Sequence, residues 1–227
     1  MFGTEYAALP CPQKGRTEMK AFIFDLDGTL LDSMHVWLDV DIQFLRRHGY
    51  TPPPTLQSEI AVMTFDECAT YFRERFRLPM TNAQIIAEWK DMVRHAYRET
   101  IEAKPGAAAF VRRCAADGMK ICAATGSQRE NAEAVLARIG IAELFDFIVT
   151  SDEVGKGKNF PDIYERCAAR FGLPPAECVV VEDVLSAAQT ARRAGFEVWG
   201  IYDPASGSDW DAMQQVCTRT FRSFEEL

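Results

Sequence analysis

Short apolar runs alternate with helical periodicity over much of the chain. The apolar runs span 21–24, 119–124, 147–149, 178–181 and 196–200, and each of the last four follows a segment of helical pattern. Strands this short and this apolar are typical of parallel sheets that helices cover on both faces. The alternation therefore predicts an α/β fold on a doubly wound, Rossmann-like parallel sheet, whose ligands bind at the carboxyl ends of the strands.

The stretch from residue 34 to residue 103 breaks this alternation, because it has helical periodicity and no strand signal. Ser33 is expected to cap its first helix, and Thr64 and Thr81 begin capping-box sequences for two further helices. The aromatic residues of this stretch are expected to form its own core. The first helix is expected to bury one apolar stripe: Met34, Trp37, Leu38, Ile42 and Leu45. The pattern predicts a helical domain at 34–103, inserted into a core domain formed by 19–33 and 104–227.

Composition and charge limit the kinds of binding partner and the cellular location that we expect for this protein. The chain of 227 residues carries a net charge of −8, which disfavours general binding to nucleic acid or to anionic membranes. No apolar run approaches the length of a membrane span, and residues 1–18 show no signal-peptide pattern. The seven cysteines include no Cys-x-x-Cys pair, which indicates reduced thiols in a cytoplasmic protein. We expect residues 1–18 to be a mobile, dispensable extension, and the protein to be a monomer or a homodimer.

Two acidic residues directly follow the first apolar run. Asp25 and Asp27 are separated by one residue and precede Gly28, which accepts backbone angles that are closed to other residues. Because side chains alternate along a strand, both carboxylates are expected to emerge on one side at the strand's end. A plain turn would also use Asp and Gly, but two like charges so close together favour a divalent cation.

Polar residues also follow three later strands. The turn Thr125-Gly126-Ser127 offers hydroxyl and N–H donors at a helix start, where anions bind, although a simple helix cap would look similar. Lys156 and Lys158 lie before another helix, where a lysine is usually a solvated surface charge. Glu182 and Asp183 end a buried run, where adjacent carboxylates are costly unless they bind a cation or hydrogen-bond donors. Acidic residues at a helix start are also favoured by the helix dipole.

The sequences around Asp25 and around Thr125 resemble the first two motifs of the haloacid dehalogenase superfamily. The first motif, Asp-x-Asp-Gly-Thr-x-x-Asp-Ser, is complete at 25–33, and Thr125 stands at the position of the second. The third motif places its lysine three residues before Pro-Asp, which selects Lys158 over Lys156. Asn159 stands where many relatives have proline.

The fourth motif of that superfamily resembles the sequence after the run 178–181. Glu182 and Asp183 fit the motif, whereas Val184 and Ala187 replace its serine and its glycine. The resemblance covers about residues 19–203, with the four motifs in order and at strand ends. The position of the helical insert resembles that of a cap domain of class C1.

The resemblance implies a magnesium-dependent phosphatase acting on a small phosphorylated metabolite, such as a sugar phosphate or a nucleotide. It implies that Asp25 is the nucleophile that forms an aspartyl-phosphate, and that Asp27 is the general acid and base. It also implies that Mg²⁺ is held by Asp25, the backbone carbonyl of Asp27 and Asp183, with Glu182 nearby. The phosphoryl group would be held by the remaining motif residues: Thr125, Gly126, Ser127 and Lys158.

Other activities within and beyond the superfamily remain as alternatives. A β-phosphoglucomutase-like enzyme carries a histidine ten residues after the second aspartate and a glycine in its cap loop. This chain has Trp37 at that position and no glycine at 50–70. A haloacid dehalogenase lacks the second aspartate, and a phosphonate hydrolase needs a Schiff-base lysine in the cap, where Lys90 stands alone in mid-helix. A catalytically silent binding protein is disfavoured by the intact motif carboxylates and lysine. A phosphatase is the preferred interpretation, with its substrate open.

Overall fold

This computed structural model describes residues 18–60, 63 and 65–227, without the side chains of residues 37, 38, 57, 58 and 65. The described residues form two units. One unit contains the chain through Asp32 together with Glu102–Leu227, and the other contains Ser33–Ile101. The expectations for residues 1–17, for the cap at Thr64 and for the side chains of Trp37 and Leu38 lie outside the described residues.

Six strands form one sheet in the first unit. Their order across the sheet is β3-β2-β1-β4-β5-β6, and every neighbouring pair is parallel. This architecture confirms the predicted parallel, doubly wound α/β fold. The strands have these bounds: β1 (Ala21–Phe24), β2 (Lys120–Thr125), β3 (Phe147–Thr150), β4 (Cys178–Glu182), β5 (Glu197–Ile201) and β6 (Arg219–Phe221).

The α-helices of the described residues fall into the same two units. The Ser33–Ile101 unit contains four: α1 (His35–Arg47), α2 (Leu56–Ile60), α3 (Phe65–Arg75) and α4 (Asn82–Glu99). The sheet unit contains six: α5 (Ala107–Ala116), α6 (Arg129–Arg138), α7 (Ser151–Val154), α8 (Asp162–Phe171), α9 (Leu185–Arg193) and α10 (Trp210–Val216). The short helices α2, α7 and α10 and the strand β6 were not predicted.

Alternate residues of β1 are buried on opposite faces of the sheet. The rings of Phe22 and Phe24 contact Phe110 of α5 edge-on, with centroid distances of 5.5 and 6.1 Å. Ala21 and Ile23 belong instead to the core cluster that includes the buried side of α8. Because helices cover both faces, every residue of β1 is buried, which explains why its sequence is continuously apolar.

An aromatic core holds the Ser33–Ile101 unit together. Phe44, Phe72 and Trp89 come from three helices and contact one another edge-on, with centroids 5.0 to 5.9 Å apart. This confirms that the aromatic residues form the core of this region. The capping box at the start of α4 is also present, because the Thr81 side chain accepts from the Gln84 N–H and the Gln84 side chain accepts from the Thr81 N–H.

One expectation for α1 was wrong, and a second was wrong in part. Ser33 is not its cap: Met34 is the N-cap residue and its side chain makes no capping hydrogen bond. The helix buries Val36, Val40 and Phe44, which the predicted stripe does not include, together with Leu45, which it does, whereas Met34 and Ile42 are only half-buried. Apolar residues occur in two phases along this helix, and packing of Phe44 against the other aromatic residues decides between them.

Two further features concern membrane-spanning length and the cysteine thiols. In the described part of the chain, no helix combines the length and the apolar character that a membrane span requires. The six cysteines within that part all carry free thiols: Cys68, Cys114, Cys122, Cys167, Cys178 and Cys217.

Candidate active site

Three carboxylates meet at the carboxyl ends of β1 and β4. Phe24 pairs with Val181 in the sheet, so Asp25 and Glu182, the next residue of each strand, lie side by side. Both side chains follow the alternation onto the face that α8 covers. Oxygen atoms of Asp25, Glu182 and Asp183 all lie within 4.8 Å of one another, and all three residues are buried.

This carboxylate cluster has the donor set of a site for a hard divalent cation. Oε2 of Glu182 and Oδ2 of Asp183 are buried and have no hydrogen-bond partner within the described residues. Burial raises the pKa of Asp25 well above its ordinary value, although the charge of Lys158 opposes this. Burial, followed by the charge of Glu182, raises the pKa of Asp183 to about 7. Crowded carboxylates with unpaired oxygens fit a cation such as Mg²⁺, which prefers oxygen ligands.

Lys158 brings a positive charge into the cluster. Its Nζ donates to Oδ1 of Asp25 and, over 2.7 Å, to Oε1 of Glu182. Burial alone would lower the pKa of Lys158, but the two carboxylate charges together outweigh it and raise that pKa. Lys156 instead forms a surface ion pair with Asp162 at 2.7 Å, and its side chain is 49% exposed against 16% for Lys158. The structure therefore brings Lys158, and not Lys156, to the carboxylates.

A tight loop after β1 orients the next residues of the first motif. Gly28 has a φ of +80°, and its N–H donates to the Leu31 carbonyl over 3.1 Å. The loop directs the buried Thr29 hydroxyl toward Asp183, where it donates to Oδ1 over 2.9 Å. Thr29 therefore binds Oδ1 of Asp183, while Oδ2 of the same carboxylate has no partner within the described residues. The motif contains this threonine, but sequence reasoning assigned it no role.

The turn between β2 and α6 contacts the second aspartate. The helix begins at Arg129, so Thr125, Gly126 and Ser127 all precede it. The Ser127 N–H donates to Oγ1 of the fully buried Thr125 over 3.0 Å. The Ser127 hydroxyl donates to Oδ2 of Asp27 over 2.6 Å. The Ser127 hydroxyl thus contacts a carboxylate, and its predicted contact with the phosphoryl group stays a prediction.

Tyr164 is a second residue that sequence reasoning missed. Its hydroxyl donates to Oε1 of Glu182 over 2.8 Å, and its side chain is fully buried. Burial, followed by the charge of Glu182, raises its pKa well above the ordinary value, so the hydroxyl remains a protonated donor. The only signal in the sequence is its place on the buried face of α8 with Cys167 and Phe171, because a buried tyrosine hydroxyl usually needs a partner.

Comparison with known proteins gives a consistent set of relatives. A family profile described as haloacid dehalogenase-like hydrolase matches residues 19–195. The protein named hexitol phosphatase A of Escherichia coli (strain K12) is 33% identical over 190 residues, which covers 82% of this chain and 84% of that protein. The bifunctional riboflavin kinase/FMN phosphatase of Arabidopsis thaliana is 32% identical over 177 residues, which covers 78% of this chain and 46% of that protein, so the chain spans about half of that relative's length.

A solved structure also resembles the chain over nearly its whole length. The crystal structure of a candidate beta-phosphoglucomutase from Thermotoga maritima matches with a TM-score of 0.80 at 22% identity. The match covers 92% of this chain and 96% of that one. At this identity the likeness shows a shared fold.

Proposed function

The chain belongs to the haloacid dehalogenase-like hydrolases, and we propose that it is a magnesium-dependent phosphatase that hydrolyses a small phosphomonoester through an aspartyl-phosphate. One observation carries this proposal. The buried carboxylates of Asp25, Glu182 and Asp183 converge at the ends of two neighbouring strands, and Lys158 contacts two of them. A nucleophile, a cation site and a fixed positive charge lie together there, as phosphoryl transfer requires.

The cation site would be formed mainly by side chains of the cluster. The carboxylates of Asp25, Glu182 and Asp183 and the backbone carbonyl of Asp27 would hold Mg²⁺. When bound, Mg²⁺ neutralises the negative charge of the phosphoryl oxygens. The two unpaired carboxylate oxygens at Glu182 and Asp183 support this assignment, because each would gain a partner.

Asp25 would act as the nucleophile. One of its carboxylate oxygens attacks phosphorus, and the bond from phosphorus to the leaving oxygen breaks as the new bond forms. Water then attacks the phosphorus of the aspartyl-phosphate, which releases inorganic phosphate and restores the carboxylate. Lys158 would hold Asp25 in place before the attack and stabilise charge on the transferred group.

Asp27 would move the protons. It would protonate the leaving oxygen in the first step and remove a proton from the attacking water in the second. The hydrogen bond from Ser127 fixes the direction of its carboxylate. Since the Ser127 N–H is already donated to Thr125, we assign the phosphoryl contacts of this turn to the Thr125 hydroxyl proton and the Gly126 N–H.

The relatives indicate which substrates to test first. Hexitol phosphatase A and the FMN phosphatase point to phosphorylated sugars or polyols and to a flavin nucleotide. A panel of hexitol phosphates, sugar phosphates and nucleotides, with Mg²⁺ or with a chelator, should show phosphate release only with the metal. Asp25→Asn should abolish that release, which excludes a contaminating phosphatase. The proposal fails if no phosphomonoester is hydrolysed, or if chelation leaves the rate unchanged.

A further inference from the structure

A tyrosine outside the four motifs contacts the carboxylate cluster from the core. We propose that Tyr164 is a positioning residue that determines which oxygen of Glu182 is presented to the divalent cation. The inference rests on the proposed metal-dependent function and adds to it a residue that none of the motif positions includes.

The fold holds Tyr164 firmly against Glu182. Helix α8 covers the sheet face on which Asp25 and Glu182 lie. Tyr164 is part of the core cluster between this helix and the sheet. Its ring contacts Phe196 edge-on, with a centroid distance of 6.2 Å. Its hydroxyl lies 2.8 Å from Oε1 of Glu182. A ring packed on all sides leaves the hydroxyl little freedom to move away.

Two donors share Oε1 of Glu182. Lys158 donates to it over 2.7 Å and Tyr164 over 2.8 Å, while Oε2 is buried and has no partner within the described residues. A carboxylate oxygen offers about two acceptor sites, so Oε1 is filled and Oε2 alone remains for a cation. Without the tyrosine hydroxyl, Lys158 could bond to either oxygen and the carboxylate could rotate. The orientation of Glu182 therefore depends on both donors.

Direct titration of the full chain with Mg²⁺ tests this role without any substrate. Tyr164→Phe removes only the hydroxyl, and we expect the dissociation constant for Mg²⁺, measured by calorimetry, to rise about 10-fold, the lower end of the effect of removing an orienting partner. Tyr202→Phe is the matched control, because it removes the same hydroxyl from a tyrosine that packs against Trp210. We expect the control to bind Mg²⁺ as the unmodified chain does.

A double-mutant cycle separates positioning from packing. In Glu182→Gln the amide nitrogen that replaces Oε2 does not bind a cation, so adding Tyr164→Phe should cause no further loss of affinity. An equal loss in both backgrounds, or Mg²⁺ affinity of Tyr164→Phe within twofold of the unmodified chain, overturns the inference. Hydrolysis by the unmodified chain is measured in parallel. If the unmodified chain hydrolyses phosphomonoesters and Tyr164→Phe does not change the affinity for Mg²⁺, only the inference is refuted. If the unmodified chain does not bind Mg²⁺, the metal site is refuted as well.

Discussion

The Ser127 hydroxyl donates a 2.6 Å hydrogen bond to Oδ2 of Asp27 across 100 residues of sequence. The turn after β2 thereby contacts the proposed general acid and base. Because the bond fixes the carboxylate that must reach the leaving oxygen, Ser127 should influence proton transfer more than substrate binding.

Replacing Ser127 with Ala should lower kcat and leave KM nearly unchanged. The lost hydrogen bond to a charged group corresponds to about 10-fold or more in kcat for a substrate with a poor leaving group. The loss should be smaller with p-nitrophenyl phosphate, because that leaving group needs little protonation. Ser127→Thr keeps the hydroxyl and should restore much of the activity. A rise in KM at constant kcat would instead show that Ser127 binds the phosphoryl group.

Lys158 and Lys156 form a matched pair for a charge-removal experiment. Lys158→Ala should lower kcat roughly 10²-fold or more, the scale of removing one donor that stabilises a transition state. Lys156→Ala should leave kcat within twofold, since Lys156 is exposed and pairs with Asp162 at the surface. Steady-state kinetics with one substrate compares them. A large loss of kcat in Lys156→Ala with a small loss in Lys158→Ala would mean that Lys156 is the lysine of the third motif.

The contribution of Asp183 to the stability of the metal-free chain should fall as pH rises from about 4 to about 7. The pKa of Asp183 is about 7 in the folded chain against an ordinary value of 3.8. Between these values the folded state holds a proton that the unfolded state has lost, so deprotonation favours unfolding. Asp183→Asn should therefore raise Tm at pH 8 by at least about 2–4 °C, which corresponds to ~1 kcal/mol in a chain of this size, and should change it little at pH 4.

Added Mg²⁺ should raise the Tm of the unmodified chain more at pH 8 than at pH 5, and this shift should be smaller in Asp183→Asn. Asp41, in the other unit, is the control because burial also raises its pKa to about 7. Asp41→Asn should weaken the pH dependence of Tm but leave the Mg²⁺ shift intact. Equal Mg²⁺ shifts in Asp183→Asn and the unmodified chain would remove Asp183 from the cation site.

The strand ends of the sheet were predictable because each buried strand is apolar up to the point where chemistry begins. Asp25 and Glu182 stand directly at such transitions, and the parallel order follows from the alternation of helix and strand. The strand β6 escaped prediction because Arg219–Phe221 is too short to show a period. The stripe of α1 was wrong at Met34 and Ile42 because two phases of apolar residues compete, and only packing against the other helices chooses one.

The hydrogen bonds of the site were less predictable than its strand ends. Ser127 reaches Asp27, and Tyr164 reaches Glu182, through side-chain geometry that depends on the start of α6 and on the rotation of α8. Sequence spacing placed Ser127 near the carboxyl edge but did not identify the atom it would contact, and it gave Tyr164 no place at the site. Thr29 was visible in the first motif, yet its contact with Asp183 depends on the Gly28 turn.

The phosphatase should not isomerise hexose phosphates. The chain has Trp37 where the mutases that it resembles have a histidine, and it has no glycine at 50–70. Incubation of β-glucose 1-phosphate with the protein, Mg²⁺ and a catalytic amount of the bisphosphate should yield inorganic phosphate if the sugar reacts. If glucose 6-phosphate accumulated faster than free phosphate, the chain would be a mutase and not a phosphatase.

Asp27→Asn should separate the two chemical steps. Asn retains the backbone carbonyl through which residue 27 would contact the cation, so metal binding should survive. With a poor leaving group, loss of the general acid should slow the first step by about 10²–10⁴-fold. With p-nitrophenyl phosphate the leaving group needs little protonation, and the first step should persist.

The second step still requires a base at position 27 to activate water, so the Asp27→Asn chain should stall after one turnover. We expect a burst of about one equivalent of p-nitrophenol per chain, because each Asp25 can form only one aspartyl-phosphate. The phosphorylated chain should be stable in acid and labile to base and hydroxylamine. Rapid-quench kinetics with mass spectrometry of the intact protein measures both events, and Asp25→Asn, which lacks the nucleophile, should show neither burst nor added phosphate. Steady turnover near the unmodified rate, without phosphate on the protein, would mean that Asp27 is not the acid and base.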